Sequence, residues 1–459
     1  MRRIVTPRRF EESVRVPASK SHTIRRLIIA SLSGGVSEIE GPLDSLDARS
    51  CVSVCRGLGA EIDEHREDDP FCPNPPGGGG GKLTRWTVRG FPGASGADED
   101  GKGRAGAQAL DAGNSGTTLY LALAAAALGR RPVTFTGDEQ LGRRGAAPLL
   151  DALSGLGIRV ESRNGCVPIT VQGPWKGGHV SLPCPTSQYL SALLLSSPLA
   201  PAGTVTEISV PLLNERPYIE MTLSYLEAQS IPHEKTDDFS YFRIPGGSSY
   251  GPVPGPVPAD FSSAAFSAAA AAVSGGRALL IGLDPADTQG DKIFFDMLAR
   301  MGCGVTWEHA GLAVSCPGKL RGGVFDLNAA PDTLPALAAV AAFAEGDTVL
   351  ANVAHARIKE TDRIAVMAAE LGKLGIACDE RPDGLVIHGN PRLRSGAEER
   401  TGTEERPRPS GRSPVSLDGR GDHRVVMALA AAALAAGPAE IEGAQAADVT
   451  YPGFWDLFA

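Results

Sequence analysis

The sequence of 459 residues lacks the cysteine and histidine patterns that bind structural metals. No C-x-x-C pair occurs, and the eight cysteines and eight histidines do not fall into zinc-site spacings. Cys51 and Cys55 lie four residues apart, on one face of a predicted helix, and are interpreted as core residues. We therefore expect reduced thiols, no metal and no cofactor.

Long hydrophobic runs and an excess of basic residues are also missing. The Ala-rich runs near 121–128, 264–273 and 426–436 are about ten residues long, which is too short to cross a bilayer. Residues 1–8 show no apolar segment of a signal peptide. With 44 Lys+Arg against 53 Asp+Glu, the net charge of −9 argues against nucleic-acid and anionic-membrane partners. We expect a cytoplasmic monomer.

The sequence does contain an internal repeat. A helix that ends at Gly, followed by an alternating strand pattern, recurs with markers at 59, 157, 302 and 375, and a degraded copy has Ser230 at the marker position. The intervals between successive markers are 98, 73, 72 and 73 residues. A polar start to an apolar, Ala/Leu-rich helix recurs at 20, 114, 187, 262, 332 and 424. The shared period predicts six α/β units of about 73 residues, each with two helices and several short strands.

The two longest intervals contain polar insertions. One, roughly 66–107, is rich in Pro and Gly around a predicted strand at 83–88, and the other spans roughly 394–414. Six units are most simply two domains of three, divided near the Pro/Gly-rich stretch 246–258.

The polar helix starts predict sites for anions. The helices are apolar all round, so we expect them to be buried, where their first N–H groups need capping side chains. Helix N-termini attract anions. Lys20 and Arg25 flank the first start, Arg424 lies in the sixth, and Arg144 precedes another helix. If the starts converge, they form a strong binding site for anionic ligands.

The segment 355–363 carries the sharpest signal. Lys359 and Arg363 are four residues apart, which predicts one helix face near a helix N-terminus. Basic side chains there repel each other, and the helix dipole disfavours positive charge at this end of a helix. This unfavourable arrangement indicates a bound anion. The alternative is a solvated face on which Glu360 and Asp362 are the partners. The segment 113–118 is likewise either a phosphate loop or only a capped helix start, because it lacks the Walker ending and the dinucleotide spacing.

Seven segments, in this order, complete the pattern: PASKSHTIR at 17–25, GNSGT at 113–117, TSQYLSALL at 186–194, RPYIEMTL at 216–223, QGD at 289–291, RIKETDR at 357–363 and DHR at 422–424. Together they resemble the 5-enolpyruvylshikimate-3-phosphate synthases, a family of enolpyruvyl transferases. The resemblance covers nearly the whole chain outside the insertions.

The resemblance implies a fold and a reaction. The fold is a two-domain inside-out α/β barrel, with three βαβαββ repeats and buried helices in each domain and the helix N-termini at the cleft. The domains would be 19–255, and 1–18 together with 256–459. The reaction transfers the enolpyruvyl group of phosphoenolpyruvate to the 5-hydroxyl of shikimate 3-phosphate and releases phosphate, in chorismate and aromatic amino-acid biosynthesis.

The resemblance also implies roles for individual residues. Those expected to bind shikimate 3-phosphate are Lys20, Ser21, Arg25, Thr186, Ser187, Gln188, Asp332 and Lys359. Those expected to bind phosphoenolpyruvate are Lys20, Asn114, Gly116, Arg144, Gln188, Arg363 and Arg424. Lys20 would contact both substrates, Asp332 would accept the 5-hydroxyl proton, and Glu360 would donate a proton to the phosphoenolpyruvate methylene carbon.

Three positions depart from the family pattern, and two other functions stay open. Glu215 replaces a usual Ser beside the phosphate, His355 a common Asn, and Val449 a frequent Lys. One alternative is the enolpyruvyl transferase that acts on UDP-N-acetylglucosamine, although that enzyme has Lys-Asn at 20–21 and usually a Cys in the loop corresponding to 138–147. The other is a non-catalytic sugar-phosphate binder.

Overall fold

The computed structural model describes residues 1–68, 81–91, 109–253, 255–394 and 413–459. Most of the two predicted insertions lies outside the described residues. The strand predicted at 83–88 is confirmed, as part of a strand that spans Lys82–Arg89.

The α-helices of the described residues are α1 Lys20–Leu32, α2 Leu46–Leu58, α3 Gly116–Ala126, α4 Ala147–Gly155, α5 Ser187–Ser196, α6 Arg216–Ala228, α7 Phe261–Ser274, α8 Ile293–Arg300, α9 Leu334–Ala341, α10 Arg363–Lys373 and α11 His423–Ala436. The strands are β1 Arg2–Val5, β2 Glu11–Arg15, β3 Val36–Glu40, β4 Glu61–Glu67, β5 Lys82–Arg89, β6 Leu110–Asp111, β7 Val133–Thr136, β8 Arg159–Arg163, β9 Cys166–Gln172, β10 Gly178–Ser181, β11 Val205–Ser209, β12 Glu234–Lys235, β13 Tyr241–Pro245, β14 Arg277–Ile281, β15 Gly304–Glu308, β16 Gly311–Ser315, β17 Val324–Asp326, β18 Asp347–Ala351, β19 Ala377–Arg381, β20 Gly384–His388, β21 Val415–Asp418 and β22 Ala439–Glu442.

Within the described ranges the strands form six small sheets that repeat one topology. Four sheets have the orders β6-β7-β9-β8, β10-β11-β13-β12, β2-β14-β16-β15 and β17-β18-β20-β19. In each, the first two strands pair in parallel and the other pairs are antiparallel. A parallel pair needs a crossover connection, and in three of these sheets that connection contains α3, α5 or α9. The predicted repeat of two helices and several short strands is confirmed.

The other two sheets have three strands, β3-β5-β4 and β1-β22-β21. The N-terminal segment supplies strands to two sheets formed mainly by the second half of the chain. In these, β1 pairs antiparallel with β22 and β2 pairs parallel with β14.

By its contacts the chain divides into two compact units. We call Met1–Pro17 with Pro258–Ala459 the first unit, and Ala18–Val257 the second unit. Each contains three of the six sheets. No helix in the described ranges is long and apolar enough to cross a membrane.

Each unit has a core of three buried helices. In the first unit α7, α9 and α11 pack on one another, and in the second unit α3 packs on both α1 and α5. Every residue of α7 except Ser274 is buried. The alternating burial of strands such as β14 and β18 indicates that the sheets turn one face toward this core. The predicted α/β class, with helices buried all round, is confirmed.

Five of the six buried helices have a side-chain cap at the polar start that the sequence predicts. The side chains of Ser19, Ser115, Thr186, Asp260 and Asp422 accept hydrogen bonds from backbone N–H groups of α1, α3, α5, α7 and α11. The sixth start differs, because Pro331–Thr333 forms a short 3-10 helix before α9 and makes no side-chain cap. The N-termini that the sequence marks as polar are therefore the N-termini of the core helices.

The Ala-rich surface of α7 is expected to tolerate no larger side chain. Ala269 is fully buried in α7, so Ala269→Leu should lower the free energy of unfolding by about 1–3 kcal/mol through overpacking. The control is Ala299→Leu in α8, where the residue is exposed and a change of about 0.5 kcal/mol or less is expected. Urea denaturation measures both, and equal losses would contradict the buried packing of α7.

Candidate active site

In the second unit, Lys20 is the first residue of the buried helix α1. Its Nζ lies 3.2 Å from Asp47 Oδ2, and the side chains are 13% and 5% exposed. Asp47 belongs to the first turn of α2. Sequence reasoning identified Lys20 but missed Asp47, since nothing in the local pattern joins the two. The carboxylate offsets the desolvation of the ammonium and its unfavourable position at a helix N-terminus.

Arg25 lies one turn further along α1 and is buried with neutral hydrogen-bond partners. It donates to Thr222 Oγ1 at 2.9 Å, to Ser191 Oγ at 3.2 Å, and to the carbonyl oxygens of Ser21 and Tyr218 at 3.2 and 3.4 Å. Burial lowers the pKa of Arg25 to about 10, so the guanidinium stays charged at neutral pH. A buried cation whose direct partners are neutral is suited to an anionic ligand.

Four of the residues predicted to bind phosphoenolpyruvate lie together at the N-termini of α3 and α5. Arg144 donates to Asn114 Oδ1. A Cβ built on Gly116 would lie 3.3 Å from Arg144 Nη1 and 3.7 Å from Gln188 Oε1. Gln188 in turn donates to Thr117 Oγ1 at 3.0 Å. A glycine at 116 therefore keeps the space between an arginine and a glutamine side chain open.

The N-terminus of α5 holds an arrangement that the sequence did not predict. Thr186 and Ser187 were expected to bind the 3-phosphate, yet their donors are engaged by a carboxylate of this chain. Glu215 Oε2 accepts from Ser187 N at 3.0 Å, from Ser187 Oγ at 2.7 Å and from Thr186 Oγ1 at 3.2 Å. The sequence had marked Glu215 as unusual but gave no sign that it would occupy this position.

In the first unit, the predicted site residues converge on Arg363. This side chain is 1% exposed and makes ion pairs with Asp332 at 2.6 Å, Glu360 at 2.6 Å and Asp422 at 2.8 Å. Arg424 pairs with the other oxygen of Asp332 at 2.9 Å. Asp332, Glu360, Arg363 and Arg424, predicted separately, thus form one charged cluster. Asp422 had been noted only within the DHR segment at 422–424, with no role of its own.

Electrostatics in this cluster favour the charged guanidinium. Burial by itself lowers the pKa of Arg363, but the carboxylates of Asp422, Glu360 and Asp332 outweigh it and raise that pKa above its usual value. Removing Arg363 would leave three carboxylates without this partner, one of them fully buried. Arg363 therefore has a structural role as well as any role toward a ligand.

One prediction about this segment is wrong. Lys359 and Arg363 do not share a helix face, because α10 begins at Arg363 and Lys359 follows the 3-10 helix Ala354–Ile358. Asp362 caps α10 by accepting from Ala365 N at 3.0 Å. The capping rule would have found this start, since an Asp stands just before an apolar-periodic run. Lys359 is half-buried in the connection.

The solvated-face alternative holds for part of the segment. Arg357 pairs with Asp362 at 2.6 Å while remaining 25% exposed. Arg363 is buried and does not fit that alternative. Among the residues that the structure describes, no group of three or more His, Cys, Asp or Glu side chains is arranged to hold a metal ion.

Comparison with known proteins decides the family. The family model described as EPSP synthase (3-phosphoshikimate 1-carboxyvinyltransferase) matches residues 4–458. The chain belongs to the EPSP synthase family.

The relatives support this assignment over nearly their whole length. A curated 3-phosphoshikimate 1-carboxyvinyltransferase from Acetivibrio thermocellus is 44% identical over 446 residues, which are 96% of this chain and 94% of the relative. One from Halobacterium salinarum is 37% identical over 100% of this chain and 98% of its own. The solved EPSP synthase from Acinetobacter baumannii is 26% identical, with a TM-score of 0.73 over 99% of this chain and 97% of that one.

Membership of the EPSP synthase family decides against the enolpyruvyl transferase that acts on UDP-N-acetylglucosamine. Of the three departures from the family pattern, His355 is buried in the 3-10 helix Ala354–Ile358, and Val449 ends the 3-10 helix Ala444–Val449, half-buried. Glu215 is the departure with a visible structural consequence.

Asp422 is expected to stabilise the cluster around Arg363. It is fully buried, caps α11 and accepts from Arg363 Nε at 2.8 Å. Asp422→Asn keeps an oxygen for the cap but loses the charge, so the free energy of unfolding should fall by about 1.5–3 kcal/mol. Urea denaturation gives the value.

The matched control is Glu380→Gln. Glu380 pairs with Arg357 at 3.4 Å but is 46% exposed, so a loss of about 0–1 kcal/mol is expected. If Asp422→Asn is no more destabilising than this control, the buried network contributes nothing beyond a surface ion pair.

Proposed function

We propose that this protein is a 3-phosphoshikimate 1-carboxyvinyltransferase. It transfers the enolpyruvyl group of phosphoenolpyruvate to the 5-hydroxyl of shikimate 3-phosphate and releases phosphate, in chorismate and aromatic amino-acid biosynthesis. The observation that carries the proposal is the cluster in which one buried arginine, Arg363, joins Asp332 and Glu360. The whole-chain family match supports it.

Phosphoenolpyruvate is bound through its carboxylate and phosphate. Arg363 and Arg424 in the first unit, and Lys20 and Arg144 in the second, supply the cations. The planar guanidinium group forms paired hydrogen bonds with both kinds of anion. Arg363 and Arg424 are paired with carboxylates of the protein. We propose that the substrate exchanges with these internal partners.

Shikimate 3-phosphate is bound by the residues that the family resemblance assigns to it. Arg25, whose direct partners are neutral, is suited to the acceptor carboxylate. Lys20, Ser21, Thr186, Ser187, Gln188, Asp332 and Lys359 complete the proposed set. Holding both substrates in a reacting geometry lowers the entropic part of the barrier.

The chemistry requires two proton transfers. Asp332 takes the proton from the 5-hydroxyl of shikimate 3-phosphate while the oxygen of that hydroxyl adds to C2 of phosphoenolpyruvate. Glu360 supplies a proton to C3, giving a tetrahedral intermediate. In the elimination the Glu360 carboxylate takes a proton back from C3, the C2–C3 double bond reforms, and the C2–O bond breaks so that phosphate leaves. Nearby cations stabilise the negative charge that develops.

If Arg363 leaves its carboxylate partners to bind substrate, replacing it by lysine should reduce the use of phosphoenolpyruvate. Arg363→Lys keeps one positive charge but loses the planar pair of donors. The value of kcat/KM for phosphoenolpyruvate should fall by about 10- to 100-fold, corresponding to the loss of one charged hydrogen bond. Steady-state kinetics at saturating shikimate 3-phosphate measures it.

Arg357→Lys serves as the control on the same segment. Arg357 is partly exposed and pairs with Asp362 and Glu380, so kcat/KM should change less than about twofold. A loss equal to that of Arg363→Lys would count against a substrate contact of Arg363.

Phosphate release tests the function itself. Purified protein with phosphoenolpyruvate should release phosphate when shikimate 3-phosphate is added and not when UDP-N-acetylglucosamine is added. Binding of shikimate 3-phosphate without phosphate release would instead identify the non-catalytic binder. We further propose that the protein works in the cytoplasm as a monomer, as the sequence predicts.

A further inference from the structure

The Glu215 carboxylate occupies the N-terminus of α5. Glu215 is 3% exposed, and its Oε2 accepts one backbone N–H and two hydroxyl donors from Thr186 and Ser187, at 2.7–3.2 Å. A free helix N–H and two hydroxyls are the donors that an acidic ligand oxygen takes at such a position. Glu215 Oε2 therefore already accepts hydrogen bonds from all three of these donors.

The backbone fixes this carboxylate in place. Glu215 directly precedes α6 and adopts φ 59°, in the left-handed region that non-glycine residues rarely visit. The next residues, Arg216 and Pro217, begin α6. The Arg216 guanidinium lies 4.0 Å from the ring centre of Phe239 and 3.0 Å from Glu220. The start of α6 therefore holds the turn on its C-terminal side, next to the residue that reaches the α5 N-terminus.

Glu215 places a negative charge beside buried side chains, as an anionic ligand at this position would. Its negative charge acts on the buried Arg25 and offsets part of the fall that burial causes in the pKa of that arginine. The same charge raises the pKa of the neighbouring Cys184 thiol, although burial is the larger cause. A carboxylate and a phosphate repel each other and need the same donors, so both cannot be bound there together.

We propose that Glu215 determines the affinity for the acceptor, because its carboxylate engages the donors that the acceptor phosphate needs and must leave before that phosphate binds. The inference rests on the proposed function, in which Thr186 and Ser187 hold the 3-phosphate. It assigns to Glu215 a competition with the substrate rather than a contact that helps to bind it.

Calorimetric titration of three variants tests the proposal. Glu215→Ser removes the competing carboxylate, so the Kd for shikimate 3-phosphate should fall by about tenfold or more, because a hydrogen-bonded charge no longer has to be displaced. Glu215→Gln keeps the size and loses the charge, and should give a smaller fall. Glu227→Gln removes an exposed carboxylate of α6 and should leave the Kd unchanged.

Shikimate without its phosphate separates this effect from a general change in the site. Its Kd should be the same for the unaltered protein and all three variants, as should the KM for phosphoenolpyruvate. Circular dichroism and the melting temperature confirm that each variant is folded.

Two results overturn the inference. If folded Glu215→Ser binds shikimate 3-phosphate as weakly as the unaltered protein, or more weakly, Glu215 does not compete with the phosphate. If shikimate gains affinity to the same extent, the effect does not involve the phosphate. The proposed function fails separately, when the unaltered protein neither binds shikimate 3-phosphate nor releases phosphate from phosphoenolpyruvate.

Discussion

A buried positive charge must be satisfied by carboxylates or by other hydrogen-bond acceptors, and this requirement governs the candidate site. Arg363 is almost completely buried and carries its charge among three carboxylates. An arginine in an apolar core without such partners would lower the stability by several kcal/mol. The cluster is therefore stable without substrate, and the same cations remain suited to an anionic ligand that can replace the internal partners.

The second unit meets the same requirement with different residues. Lys20 is paired with Asp47, the α5 N-terminus is occupied by Glu215, and Arg25 relies on neutral oxygens with the charge of Glu215 nearby. Under the proposed function, internal carboxylates take positions that substrate anions would occupy. Binding would then be an exchange of partners, and affinity would depend on how firmly each carboxylate is held as well as on the substrate contacts.

The fold supplies these positions through its repeat. Each unit buries three helices whose first N–H groups must be satisfied inside the protein. Five capping side chains do this, and basic residues stand in or beside those first turns at Lys20, Arg25 and Arg424. Ala-rich surfaces let the helices of the first unit pack closely, so the polar ends can approach one another without a large apolar gap.

The sequence by itself determined the six-unit repeat, the buried helices and the residues that start them, because period, capping and all-round hydrophobicity are local properties. Capping would also have placed the start of α10 at Arg363 and so separated it from Lys359. Only the tertiary structure decided which charges meet. Asp422 and Arg363 are 59 residues apart in the chain, and Glu215 and Ser187 are 28 apart. No periodicity links such pairs. Helix packing brings them together, between two repeats for Asp422 and Arg363 and within one repeat for Glu215 and Ser187.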